Sequence, residues 1–265
     1  MSLAMAFAAA GHDIVAVLGR TAESAEHGAA LVNSMALTLD DELPPAELLV
    51  IAVRDSLIPS IAAALAERRP EVGAAIHVSG LTSVDALAPL AAIGIPTGSF
   101  HPLQTLPTPE AGAARLRGAH IAVTADLPLR EELGNLARDI GATPFMLDDD
   151  AKPLYHAAAA AAANFPLGVL SMAEDLFTEA GVPWEAARPL VEAVVANAFD
   201  LGPRAALTGP VARGDVGTVA AQLRAVRTQY PAWKVDFARF IEMLARLTGR
   251  VAEFEAVLDD EENEG

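Results

Sequence analysis

Apolar residues follow two rhythms along this chain. Over the first 147 positions, unbroken apolar runs of strand length alternate with stretches whose apolar residues recur every three or four positions. Residues 1–10 read as a helix, with Gly11 placed as the residue just past its end. Residues 13–18 (DIVAVL) read as a buried strand closed by Gly19-Arg20-Thr21, and a helix follows over 22–33. The run LLVIAV at 48–53 is apolar throughout, as a strand buried on both faces of a parallel sheet must be. Then come a helix over 56–69, a strand over 74–79, a helix over 83–93 and a segment at 97–100 leading into His101-Pro102. A strand over 119–124, a helix over 129–140 and a last strand over 143–147 complete the series. Such alternation with short turns predicts βαβ units and a parallel sheet.

After Asp148-Asp149-Asp150 the helical rhythm takes over, at 150–180 with a kink expected at Pro166, 185–201, 216–229 and 231–258. The predicted organisation is therefore an α/β domain over 1–147, an all-α domain over 148–258 and a solvated acidic tail over 259–265. A dinucleotide-binding domain of this kind should open with a strand, a glycine-rich turn and a helix whose N-terminus receives the pyrophosphate. Here the pattern begins inside that helix, and no GxGxxG occurs elsewhere. Two readings follow: a chain that starts too late, or a variant that does not bind a dinucleotide in the usual way. In both, weak pyrophosphate binding and a hydrophobic gap in the sheet are expected.

Composition narrows the function classes. Half of the residues (52%) are hydrophobic but only 5% aromatic, so Ala, Leu and Val must build the core. A formal charge of -17 disfavours nucleic acid and anionic membranes as partners. Without cysteine there is no disulfide, thiolate ligand or Cys nucleophile. Residues 1–10 lack a basic n-region and are too short to span a bilayer, so a cytoplasmic protein is expected. His12, His27, His77 and His120 show no metal-ligand spacing, and no metal site is expected.

Four segments agree on a family: VSGLTS at 78–83, SFHPLQTL at 99–106, KPLYHAAA at 152–159 running to Asn164-Phe165, and LTGPVARGD at 207–215. In these the chain resembles the Rossmann-like proteins with a C-terminal helical domain of unknown function. Those proteins are relatives of pyrroline-5-carboxylate reductase and the deazaflavin-dependent NADP reductases. The resemblance implies a Rossmann domain followed by a helical dimerisation domain similar to that of 6-phosphogluconate dehydrogenase. A homodimer is expected from the apolar faces of the Ala-rich helices, and NADP(H) as cofactor from Arg20 and Thr21. The resemblance implies no settled substrate; the leading expectation is an oxidoreductase reducing a small carbonyl or imine. The alternatives are a non-catalytic dimeric ligand-binding or regulatory protein, and an inactive truncated chain.

Candidate residues follow from position. Arg20 and Thr21 end the second strand of the complete order, where an Arg beside a hydroxyl suits the 2′-phosphate of NADP better than the ribose of NAD; the alternative is a solvated Arg. Val53 and Arg54 lie at the crevice edge, facing either phosphate or water, and Ser79 and Gly80 are assigned to the same crevice. His101 is placed at the carboxyl edge of the sheet, able to transfer protons or simply to hold a turn. Lys152 and His156, four apart, share a helix face. By resemblance to β-hydroxyacid-dehydrogenase-like reductases, Lys152 is the general acid and His156 its partner or a substrate contact; the alternative is a surface pair. Asn164 lies about 80° further round the helix, within reach of the same pocket. The Gly209-Pro210 turn with Arg213 is a substrate-binding candidate for an anionic group, and Asp215 an N-cap.

Overall fold

A computed structural model describes residues 1–263, with the backbone alone over 259–263. The acidic tail expected at 259–265 thus lies outside the residues whose side chains are described. Three strands, β3 (Ala46–Ile51), β4 (Val72–His77) and β5 (Thr97–Leu103), run parallel, with Leu49 opposite Ala75 and Ile76 opposite Gly98. Two more, β6 (His120–Ala125) and β7 (Thr143–Met146), complete a five-stranded sheet in the order β3-β4-β5-β6-β7. Strand β6 is antiparallel to β5, pairing Phe100 with Val123, and β7 is parallel to β6. The parallel sheet expected from the alternation holds in the other pairings and is corrected only at β5–β6. The connection from β5 contains one short helix, α5 (Pro109–Leu116), about 12 Å long. It packs on α1 (Ser2–Ala9) and returns the chain at the edge it left.

The first two strands stand apart. Strands β1 (Ala16–Leu18) and β2 (Met35–Leu37) form a separate parallel pair, with α2 (Ala22–Ala30) between them in the chain. Among the described residues no strand pairs with the second side of β1 or of β3. The sheet is interrupted there, at the place where the gap was expected. Side chains bridge what the ladder does not: Leu18, Leu39 and Leu43 pack on the cluster formed by Ile51, Ile58, Ala62, Leu65, Leu87 and Leu90. A two-stranded pair is marginal by itself, so amide exchange at Val17 and Ala36 is expected to outpace that at Ile76 and Val123. Equal protection in a native-state exchange experiment would contradict this.

Helices cover both faces of the main sheet. On one, Phe7 of α1 packs with Phe100, Ile121 and Val123 and with Leu133 and Ala137 of α6 (Leu129–Asp139). On the other lie α3 (Ile58–Glu67) and the short α4 (Ala88–Ala91). Alternation along β4 sends Ile76 to the first cluster and Ala75 to the second, as period 2 requires. Small residues permit close approach: a Cβ at Gly98 would stand 2.9 Å from Ala125 Cβ and Thr124 O across the β5–β6 pair.

The described residues divide into two compact units, Met1–Asn164 and those from Phe165 onward, with α7 (Lys152–Glu179) contributing to each and continuing through Pro166. The second unit contains α8 (Arg188–Leu201), two single turns, α9 (Pro203–Ala206) and α10 (Pro210–Arg213), then α11 (Val216–Gln229), α12 (Lys234–Thr248) and α13 (Val251–Asn263). Its core is Val211, Val219, Leu223, Ile241, Ala245 and Phe254. Asp215 caps α11, accepting from the Thr218 amide at 3.0 Å, as expected. The single helix expected over 231–258 is broken at Gly249, whose φ of +71° ends α12. Helix α8 buries no residue, and Phe199 on it is 87% exposed. Among the described residues no helix is long and apolar enough to cross a membrane.

Candidate functional site

Strands β3, β4 and β5 point their carboxyl ends the same way, and the residues just beyond or near those ends meet there. In open α/β sheets ligands bind at this edge. Ser79, two residues past β4, organises it. Its hydroxyl donates to Asp55 Oδ2 at 2.7 Å and accepts from the amides of Leu81 (3.1 Å) and Thr82 (2.9 Å). The loop over 78–83 is thereby wound around one side chain. His77, at the end of β4, is fully buried and accepts the Ser79 amide at Nδ1, 3.2 Å away. Its proton therefore sits on Nε2, which is buried without a hydrogen-bond partner. Burial, then the Lys152 charge, pushes the His77 pKa down to about 4, against the opposing pull of the Ser83 backbone, Asp149 and Asp55.

His101 lies inside β5, not after it, and faces the first turns of α7. Lys152, Tyr155 and His156 share a face of that helix by their spacing. The Tyr155 hydroxyl lies 2.8 Å from His101 Nδ1, with the rings edge to face at 5.5 Å. The His156 ring is 6.3 Å from that of His101. Burial, then the His156 charge, drives the His101 pKa down to about 4; Lys152 adds to the shift and Asp55 opposes it. Burial pushes Tyr155 up to about 12. At neutral pH the pair is therefore an uncharged imidazole and an intact phenol. When the phenol donates to Nδ1, Nε2 carries the ring proton. The backbone of Gly80 closes against the same ring, where a Cβ would stand 2.7 Å from Cε1 and 2.8 Å from Nε2.

Lys152 has partners of its own. Its side chain is 1% exposed, and Nζ donates to Thr82 O at 2.8 Å and pairs with Asp149 Oδ1 at 3.1 Å. Burial lowers its pKa, opposed by Asp149. Asp149 also accepts the Ser83 hydroxyl and the Val84 amide, the latter at 3.1 Å. Burial works to raise its pKa, but the hydrogen bonds from Ser83, Val84 and Lys152 outweigh it and hold the carboxyl below its usual range.

The structure thus brings His101, His156, Ser79, Gly80 and Lys152 into one neighbourhood. Arg20 and Thr21 follow β1. Thr21 is engaged in a capping box with Ser24 at the start of α2, while Arg20 is exposed and has no partner among the described residues. Val53 and Arg54 are exposed beyond β3. Asn164, exposed about three turns along α7, makes no side-chain hydrogen bond. Gly209, Pro210 and Arg213 belong to the other unit, with Gly209 at φ +98° and Arg213 exposed. Asp55, His77, Tyr155 and Asp149 escaped the sequence reading. Tyr155 stood next to His156, and its spacing from Lys152 was the available signal.

Parts of this edge suit a nicotinamide dinucleotide. Arg20 offers a free guanidinium beyond β1, and His101 lies within β5 past the end of β4. At the first turn of α1, Ser2 is buried, its hydroxyl donating to Thr108 O at 3.3 Å.

Comparison with known proteins agrees with this architecture. Residues 1–102 match the Rossmann-like domain family, and residues 119–240 match a domain of unknown function, DUF2520. No curated protein matches the chain. Among solved structures, a Bacteroides fragilis protein described as an NADP oxidoreductase is 22% identical with a TM-score of 0.76, covering 92% of this chain and 93% of its own. An imine reductase of Streptomyces aurantiacus is 15% identical, TM-score 0.61, covering 99% and 89%. A pyrroline carboxylate reductase of Plasmodium falciparum, solved with NADP bound, is 11% identical, TM-score 0.55, covering 96% and 93%. At these identities the likeness establishes the fold.

Proposed function

For a chain that joins a Rossmann-like domain to a DUF2520 domain, we propose the function of an NADP-dependent reductase acting on a small carbonyl or imine. The observation that carries this reading is the uncharged His101–Tyr155 pair, 2.8 Å apart, at the carboxyl edge of the parallel strands. NADPH, when bound, supplies the hydride. The chain's own residues handle the proton. Tyr155 donates to His101 Nδ1 and holds the ring proton on Nε2, which faces the substrate oxygen or nitrogen. As negative charge develops on a carbonyl oxygen, Nε2 releases its proton to it while Nδ1 takes the phenol proton. The imidazole stays neutral, and solvent reprotonates the phenolate. A neutral imidazole suits this role, because a charged one could not accept at Nδ1. Arg20 contributes selectivity for the 2′-phosphate.

The test is a fluorescence titration with NADPH and NADH. Enhancement with NADPH, weakened by Arg20→Ala toward the NADH level, is expected. Turnover of a ketone and cyclic-imine panel should fall about 10²–10⁴-fold in Tyr155→Phe, the range of a lost proton-transfer group. Absence of NADPH binding at millimolar concentration would overturn the proposal.

A further inference from the structure

We propose that Lys152 and Asp149 are positioning residues: their ion pair clamps the loop over 79–84 to the first turn of α7 and thereby sets the His101–Tyr155 contact. This rests on the reductase reading only for its consequence in turnover.

Three consecutive loop residues are held by the two members of one ion pair. Lys152 takes the Thr82 carbonyl, and Asp149 takes the Ser83 hydroxyl and the Val84 amide. These partners are 65 to 70 residues apart in the chain, so the clamp fixes a relation that local structure does not. At one end of the clamped loop, Gly80 touches the His101 ring. On the clamped helix, Tyr155 is one turn beyond Lys152 and bonds the same ring. His101 is therefore seated between two surfaces whose separation the ion pair determines.

A direct proton donor must reach the substrate. The Lys152 ammonium is 1% exposed and already engaged by two acceptors, so it acts through the loop it holds. Buried ion pairs contribute little net stability compared with apolar packing of equal volume, and positioning is among the roles proposed for those that persist.

The charged and titratable groups facing His101 are His156 and Tyr155 on α7, Asp55 beyond β3, and Lys152 itself. Asp149→Asn is the informative variant because it retains the ammonium. Electrostatically it leaves that cation less balanced, which can only hold the His101 pKa down. Loosening the clamp admits water to the ring and raises it. Histidine nitrogen NMR on the full chain should show His101 titrating near 4 in the wild type. In Asp149→Asn it should move up by at least one unit and lose the fixed tautomer. Ser83→Ala, a milder cut, should shift it the same way by less. In turnover assays both should lower kcat more than they raise KM, and Lys152→Arg should recover part of what Lys152→Met loses. An unchanged His101 signal in both Asp149→Asn and Ser83→Ala would overturn the clamp. So would an inactive Lys152→Met beside a fully active Asp149→Asn, since Lys152 would then act directly. The NMR readout needs no substrate, so failed NADPH binding would sink the reductase reading and leave the clamp standing.

Discussion

Around pH 5 the protein is expected to lose up to about 2.7 kcal/mol of stability for each unit of acidification, taking up close to two protons on unfolding. The protons belong to His77 and His101, whose folded pKa values are both about 4 against 6.5 for a free histidine. Midway between those values the unfolded chain binds nearly both protons and the folded chain almost none, and the slope halves at either end. Stability is therefore full above pH 6.5 and falls as pH drops toward 4. Across two units the loss is about 5 kcal/mol, the lower end of a typical domain's total stability. Asp149 acts in a separate window: its depressed pKa contributes stability present above the ordinary carboxylate range and lost only as pH falls through it. Urea unfolding at half-unit intervals would measure the slope, and His101→Gln should halve it. A flat profile from pH 6.5 to 4.5 would mean that water reaches both rings.

Replacing Gly80 by alanine is expected to reduce turnover about 10²-fold, the scale of a misplacement near 1 Å. The new Cβ would stand 2.7 to 2.9 Å from three atoms of the His101 ring, closer than real contacts allow. A ring anchored in β5 cannot swing aside like the end of a flexible side chain, so it must tilt and lengthen its bond to Tyr155. The accompanying loss of stability should be about 1–3 kcal/mol, as for other overpacked sites. Turnover and thermal unfolding on the same sample separate the two effects. Wild-type turnover in Gly80→Ala would show that the ring's placement is not what the reaction needs.

The strands buried on both faces were legible because a continuous apolar run such as 48–53 has few other uses in a soluble α/β chain. What escaped was short or reversed. Strand β2 is three residues long, and α5 carries Gly112 and too few apolar positions to announce itself. The reversal of β6 depends on where the chain turns, which periodicity does not encode. In the site, His101, Lys152 and His156 could be picked out by type and place. Their partners could not, because Tyr155 meets His101 across 54 residues and Asp149 meets Ser83 across 66. Asp149 stands in the sequence as one of three consecutive acids; the fold makes it the counter-ion of a buried lysine.

Arg20 rides on the β1–β2 pair, which is attached to the rest of the first unit by side-chain packing without a backbone ladder. Such an element detaches at a lower free energy than the strands beside it. A ligand that needs Arg20 meets a competent edge only while the pair is docked. Its apparent dissociation constant is the intrinsic one divided by the docked fraction. For NADP bound as proposed, selectivity for the 2′-phosphate would depend on leucine packing as much as on charge, and enlarging the contact made by Leu18 is expected to tighten binding without touching the ligand.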